Sequence, residues 1–496
     1  MGMIWSTNES VIFVGGRGTK AGDANAGGGC TKDVWGDLKA PSLSLSDVMG
    51  TNGEPVSAPS AWNGSATACT VTQSSAGKLL ITKTGAFTNV IAGLIANVNF
   101  SDTYSDGRYR VNAAQLTANT IEIECPYTVN DSCDVKVGGA FSTLQNSLDN
   151  TAADQGSYKS VNILTNKPKT FSGTGDQIDV DAGGGNGDAG IWKRIVGIDG
   201  DGVELADDSY IAFDGNGQSC HVFYINNVSN IEFRHIYAKD AGTNYNGFSI
   251  EANVASKGFS FIYCKSSGCK HGIYAGNWNA YMIYIKGGCY SSSESWAVYI
   301  YQARYVTAKK VEFVGITTTH LINAYCSGQF ILDGCILRKT AGYSAGIIGS
   351  YPTTLILVKN STFYNIDRCV ELNDDGAKLI QYNNIFVLHT SSTGKIIKRT
   401  KGSIIYSDYS CAWAIGGAPV ASDRWGGTGL PEHSIEQSPQ FVDADNGDFR
   451  PRNPNVLRGG KPDIAENETE MGAILQKYQF PRRSKATNLG RLQIMK

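Results

Sequence analysis

Short apolar triads recur along the second half of the chain at a nearly constant interval. They are Phe248-Ser249-Ile250, Ile273-Tyr274-Ala275, Val298-Tyr299-Ile300, Ile322-Asn323-Ala324, Ile347-Ile348-Gly349, Val370-Glu371-Leu372 and Ile396-Ile397-Lys398, with steps of 25, 25, 24, 25, 23 and 26 residues. Such a period marks a stacked-repeat architecture, in which each unit packs on the next. A triad alternates inward and outward side chains, the period of a strand with one buried face. Two further strand signals lie between successive triads. One is carried by Ile231-Glu232-Phe233, Phe259-Ser260-Phe261, Phe330-Ile331-Leu332 and Leu379-Ile380-Gln381, and the other by Cys335-Ile336-Leu337, Ser361-Thr362-Phe363 and Asn384-Ile385-Phe386.

Each unit of about 25 residues thus holds three short strands separated by Gly, Asn, Ser or Asp corners. The apolar runs are too short for helices, and β-branched and aromatic residues dominate them. One unit cannot bury its own inner face, but stacked units can, each strand pairing in parallel with its equivalent one rung away. At about 4.8 Å between strands, 10–12 rungs make a rod roughly 50 Å long.

This pattern resembles the right-handed parallel β-helix of pectate lyases, polygalacturonases and phage tailspikes, over roughly residues 135–478. Gly138 to Leu148 is similar to the short amphipathic helix that caps the first rung of such proteins, with Phe141, Leu144 and Leu148 on one face. Ser438-Pro439-Gln440-Phe441-Val442-Asp443, then Gly447-Asp448-Phe449-Arg450-Pro451, Asp463-Ile464 and Met471-Gly472-Ala473, are similar in order to the terminal segment of many β-helix carbohydrate-active proteins. The expected fold class is all-β, a right-handed parallel β-helix with an N-terminal arm and a small β adaptor. A fold does not fix chemistry.

Four segments are expected. Residues 1–60 are a Gly/Ser-rich arm in which Trp5, Phe13 and Trp35 are candidate anchors on a partner. Residues 61–139 read as a small all-β adaptor, with strands at Leu79-Thr82, Val90-Ile95, Tyr109-Val111 and Thr120-Glu124. Residues 140–435 form the β-helix with its capping helix, and 436–496 a C-terminal cap and a basic tail from Gln476 to Lys496.

A net charge of −2 argues against a general nucleic-acid or membrane-surface binder. No run reaches the 18 or so apolar residues of a membrane span. Met1 to Ser6 lacks the basic start and apolar core of a signal peptide, which reads as assembly in a cytoplasm. The chain has 12 cysteines. Those in or beside repeat strands (Cys264, Cys289, Cys335, Cys369) read as small apolar fillers, and mostly free thiols are expected. Cys264, Cys269 and Cys289 lie close enough in the repeat for a bridge, and Cys125 and Cys133, flanking a polar turn, are the best-placed pair outside the rod. No zinc pattern is present and no cofactor is implied. Gly184-Gly185-Asn186-Gly187-Asp188 and Asp443, Asp445 and Asp448 superficially suggest calcium loops but lack their full patterns, so no metal site is expected.

Outward triad positions form a stripe: Ser249, Tyr274, Tyr299 and Tyr301, Asn323 and Tyr325, Ile348, Glu371. Aromatic faces pack on the C–H faces of sugars and phenols bond their hydroxyls. Tyr274, Tyr299, Tyr301, Asn323, Tyr325 and Glu371 are therefore the candidate glycan- or partner-binding residues, with an ordinary strand surface or a subunit interface as competing readings. Hydrolysis requires two carboxylates facing one space. Glu371, Asp374 and Asp375 are weak catalytic candidates, Asp333 and Glu251 weaker still. Lyase chemistry requires a base beside a calcium-binding acid cluster, and His271, His320, Arg304, Lys309 and Lys310 form no such constellation.

The functional expectation is a virion-associated receptor-binding protein, tailspike-like or a capsid-attached fibre. The resemblance implies a homotrimer that binds host surface polysaccharide, and the arm is expected to join other virion proteins. A secreted polysaccharide lyase or glycoside hydrolase is the alternative, and a bacterial surface adhesin the second.

Overall fold

A computed structural model describes residues 9–14, 30–31, 69–460 apart from short breaks (the longest 181–191 and 152–159), and Gly472. Trp5, Trp35, the Gly184–Asp188 string and the basic tail lie outside the described residues. The molecule is all-β: three long sheets of 13, 10 and 9 strands wind side by side as a parallel β-helix. The three strand signals of each repeat map one to one onto these sheets. The triads build the nine-stranded sheet, from Ile178–Val180 to Lys395–Arg399. The signals at Ile231, Phe259 and Phe330 build the 13-stranded second sheet, and those at Ile336, Thr362 and Ile385 the ten-stranded third sheet.

Inward positions stack in register. Phe223, Phe248, Ile273, Val298, Ile322, Ile347 and Val370 pair in that order along the triad sheet. The spacing thus starts one unit earlier than the triads read from sequence, at Phe223-Tyr224-Ile225. It also ends differently: Val370 pairs with Ile397, and Glu371 with Lys398. The last triad is therefore Ile397-Lys398-Arg399, one residue later than the apolar pattern indicates. Ile396 and Ile397 are both fully buried, so hydrophobicity alone could not choose between the two registers.

Like side chains stack on like in the core. Phe223 lies on Phe248 (5.2 Å, 10° between planes) and Phe233 on Phe261 (5.5 Å, 5°), with edge contacts between the two pairs. The turn from second to third sheet repeats a left-handed residue on coil after coil: His235, Tyr263, Gly287, Lys310, Gly334, Asn360, Asn383 and Tyr409. That conformation costs an L-residue roughly 1–2 kcal/mol, which Gly escapes and Asn offsets by local hydrogen bonding. Asn383 donates to Asn360 Oδ1 (3.3 Å) and Asn360 to Asp333 Oδ1 (3.0 Å), so the corner carries its own polar ladder.

Both ends of the core are closed. At the start, helix Leu144–Thr151 places Leu144 and Leu148 in the core, as its apolar spacing suggests. Phe141 is not part of that helix: Ala140–Phe141 is a strand pairing with Phe13–Val14. Glu9–Val14 in turn runs parallel to Ser160–Thr165 and antiparallel to Cys30–Thr31, so pieces of the N-terminal arm extend the second sheet by two strands. At the far end Trp425 is fully buried against the ring edge of Phe386 (6.2 Å).

Six strands between Cys69 and Val137 close into an antiparallel barrel. Its core is continuous with Leu164, Val196 and Ile198 of the β-helix. The 11 cysteines from Cys69 to Cys411 form no disulfide. The neighbour of Cys133 across the barrel ladder is Cys69, not Cys125.

The outer faces of the three sheets differ. The third sheet exposes Ile336, Tyr364, Ile385 and Val387, and the C-terminal segment covers them with Phe441, Phe449 and Val456. In that segment Asp443 accepts from Asn446 and Asp448 from Arg450, so these carboxylates organise turns. The second sheet carries an apolar strip, and the triad sheet an aromatic one.

Candidate functional site

The triad sheet holds the candidate residues on one outward column, because alternate residues of successive strands superpose in a parallel ladder. Tyr224, Ser249, Tyr274, Tyr299, Asn323, Ile348, Glu371 and Lys398 pair in sequence along it. Two residues further along each strand, Tyr301 pairs with Tyr325. The rings touch. Tyr274 stacks on Tyr299 (5.4 Å, 17°) and Tyr301 on Tyr325 (4.8 Å, 11°), and Tyr351 meets Tyr325 edge-on (5.0 Å). The tyrosines read from sequence are thus brought into one surface, but their ring faces partly cover one another. A ligand meets the exposed parts of half-buried rings rather than free faces. Gly276 makes this packing possible: a Cβ there would overlap the Tyr274 ring.

A second column runs beside the tyrosines. His271 pairs with Trp296. His271 stacks on Tyr274 (5.4 Å), Trp296 contacts His320 (4.9 Å), and two coils before His271, His221 stacks on Tyr224 (5.8 Å). His221 Nδ1 accepts the Asn246 N–H and His320 Nδ1 the Ala345 N–H, each at 3.0 Å. An imidazole accepting at Nδ1 is neutral and carries its proton on Nε2. Burial depresses all three rings to about 4, so they are uncharged at neutral pH. Burial also raises the Tyr274 and Tyr299 phenols, which remain protonated donors. The surface is therefore aromatic, polar and nearly neutral over six strands, about 24 Å.

The acids do not assemble into a catalytic pair. Glu371 is buried (4% exposed) and held by Arg368 (2.8 Å) and Lys398 (2.7 Å). Asp374 and Asp375 lie on the turn leading to Gly376, where the Asp374 carbonyl accepts from Ala377 N–H and Ser403 Oγ; their sequence signal is explained by the turn. Asp333 bridges Lys359 (3.3 Å) and Lys309 (3.9 Å) on the second sheet, away from the tyrosines. Arg304 also belongs to the second sheet's side, over the Tyr281 and Tyr305 rings. Glu251, one coil before Tyr274, is raised by burial, against the Ser249 hydroxyl beside it.

Sequence reading missed His221, Tyr224 and Tyr351. The signal for the first two was present: histidines recur at every second repeat (His221, His271, His320), and Tyr224 stands one period before Ser249. Tyr351 lies past the end of its strand, where periodicity gives no position.

No family model and no curated protein matches the chain. Among solved structures it is similar to the catalytic domain of a GH87 alpha-1,3-glucanase variant, determined in complex with tetrasaccharides, at 10% identity and a TM-score of 0.23, over 68% of this chain and 92% of that one.

Proposed function

We infer that this chain binds glycans along the outer face of its triad sheet, as a receptor-binding protein of the tailspike or capsid-fibre kind. The observation that carries this reading is the half-buried ladder of stacked Tyr, His and Trp side chains on consecutive strands. Neutral histidines and protonated phenols supply hydrogen bonds, and the exposed ring surface supplies apolar contact for sugar C–H groups. A face about 24 Å long suits a linear polymer rather than a single sugar. The Glu371–Arg368–Lys398 cluster closes the far end of the column with charge. On this reading the barrel and the N-terminal segment form the attachment end and the rod presents the ladder to a host surface.

The test is a polysaccharide panel measured by calorimetry, followed by a double Tyr299→Ala, Tyr301→Ala variant. Binding should weaken at least tenfold while the thermal melt stays within a few degrees of the parent. Undiminished binding of a demonstrated ligand by the variant would remove the ladder from the site.

A further inference from the structure

We propose that the outer face of the second sheet is a self-association surface, on which a second copy of this chain lies side by side with the first. Among the described residues nine large apolar side chains are exposed, and five of them, Tyr281, Met282, Tyr305, Ile404 and Tyr406, belong to this sheet. They lie on its strands from Ala280–Lys286 to Ile404–Asp408. Between these two ends the outward column from Tyr284 to Tyr406 is apolar and half-buried at Ile331, Leu357 and Ile380, which pair in that order, with Thr307 its one polar member; the column from Met282 to Ile404 alternates Tyr305 and Leu355 with Gln329 and Lys378. The apolar strip is therefore unbroken over the last four of the six strands, from Ile331 to Tyr406. Solvated sheet faces ordinarily carry polar residues outward, and this face departs from that pattern at side chains that remain exposed. The C-terminal segment already covers the third sheet, and the triad sheet carries the ladder.

Three features fit a copy of the same chain. The first is area. Six strands and three outward columns, the charged border included, make a face of about 580 Å². Two such faces bury about 1,150 Å², just above the roughly 1,000 Å² a specific interface requires. The second is anatomy. The apolar columns are bordered by a charged one, where Lys309 and Lys359 flank Asp333, which is a polar rim beside an apolar centre. The third is a candidate anchor: Arg304 lies over both Tyr281 (5.4 Å) and Tyr305 (5.6 Å), whose rings meet edge-to-face at 5.4 Å. Tyr and Arg in such clusters dominate interface energies. Met282 and Tyr406 are 42% and 50% exposed, so charge can be introduced there without entering the core.

The experiment is light scattering of the full chain across a concentration series, with Met282→Glu and Tyr406→Glu as variants. The parent should show a mass of two or more chains, and each variant should raise the dissociation constant at least tenfold with an unchanged melting curve. Hydrogen exchange of the parent reads the same face without mutation: amides of Ile404–Asp408 should exchange more slowly at high than at low concentration. A monomer at every concentration, or an oligomer that both variants and the exchange leave unchanged, overturns the proposal. Glycan affinity per chain should be the same in parent and variants, so failure here and failure of the ladder reading are separately visible.

Discussion

At the scale of single residues, the site depends on a position with no side chain. Tyr274 occupies the space above Gly276, and a methyl group there would overlap its ring. Gly276→Ala should therefore expel Tyr274 from the stack with Tyr299. The expected result is a loss of glycan affinity close to that of Tyr274→Ala, with stability reduced by about 1 kcal/mol or less, since the rings are half-buried. Calorimetry with a bound glycan and a urea titration check both halves; retained affinity would mean the stack is not what the ligand reads. Residue-level legibility followed the same division. Tyr274, Tyr299, Tyr301 and Tyr325 were readable because outward positions of a strand follow a period of two. Gly276 reads from sequence as an outward position two residues after Tyr274, but nothing in a linear pattern shows that the Tyr274 ring lies across it. Glu371 looked like a catalytic acid for a related reason: its two cations come from three residues earlier on its own strand and from the next coil.

At the scale of elements, two ladders make distinct predictions. The histidines of the triad sheet are depressed to about 4 in the fold, against about 6.5 in an unfolded chain. Between those values the native state binds fewer protons than the unfolded one, so stability rises with pH there. The contribution is complete above about 6.5 and is lost as pH falls to about 4, with each ring worth on the order of 1–3 kcal/mol before discounting for partial exposure. His433 works in the opposite direction, since Asp408 holds it above its ordinary value. Replacing His221 and His320 with Gln should flatten the dependence of the urea midpoint on pH between 4 and 6.5; an unaltered slope would show that these rings do not titrate on unfolding. The second ladder is the barrel seam. Cys69 and Cys133 are a registered antiparallel pair, and the Cys133 sulfur beside Cys69 holds its thiol below the usual range. Paired antiparallel residues have Cα atoms about 4.5–5.5 Å apart, inside the range a disulfide spans. With oxidised glutathione, the Cys69 thiolate attacks its disulfide and releases one glutathione thiolate. Cys133, giving up its proton, then displaces the second glutathione, leaving the protein disulfide and two reduced glutathiones. Peptide mapping should recover a Cys69–Cys133 link and a melting temperature raised by several degrees; a Cys125–Cys133 link would contradict the register. That pairing was illegible in the sequence because 64 positions separate the two cysteines, and only the closure of the barrel brings them together.

At the scale of the whole molecule, the repeat made the rod legible and left its ends and coverings obscure. Period and alternation assign three strands per coil because the inner face must be apolar on every rung. They say nothing about segments that belong to no rung. The strand Glu9–Val14 joins the stack from about 150 residues away in sequence, and the register of the final coil rests on backbone pairing that two adjacent isoleucines cannot decide. The C-terminal segment was recognisable by its order of residues, but its physical role appears only against the third sheet. There Tyr364 meets Phe449 at 5.1 Å and Phe441 at 6.0 Å, and Val456 packs with Ile385 and Val387. These contacts remove from water the outward apolar residues of the last coils, which would otherwise form a second apolar strip beside that of the second sheet. A chain ending after Gln437 should therefore keep its β-sheet circular dichroism, because the inner stack is intact and Trp425 still closes its end. It should also bind a hydrophobic dye strongly and aggregate at concentrations where the full chain does not. The burial lost is on the order of a few large side chains, at about 1.5–3 kcal/mol each, so the melting temperature should fall without the rod unfolding at room temperature. A shortened chain as soluble and dye-silent as the parent would show that the segment's packing on the third sheet does not protect it. Loss of all sheet signal would show instead that the segment is part of the folding unit rather than its cover.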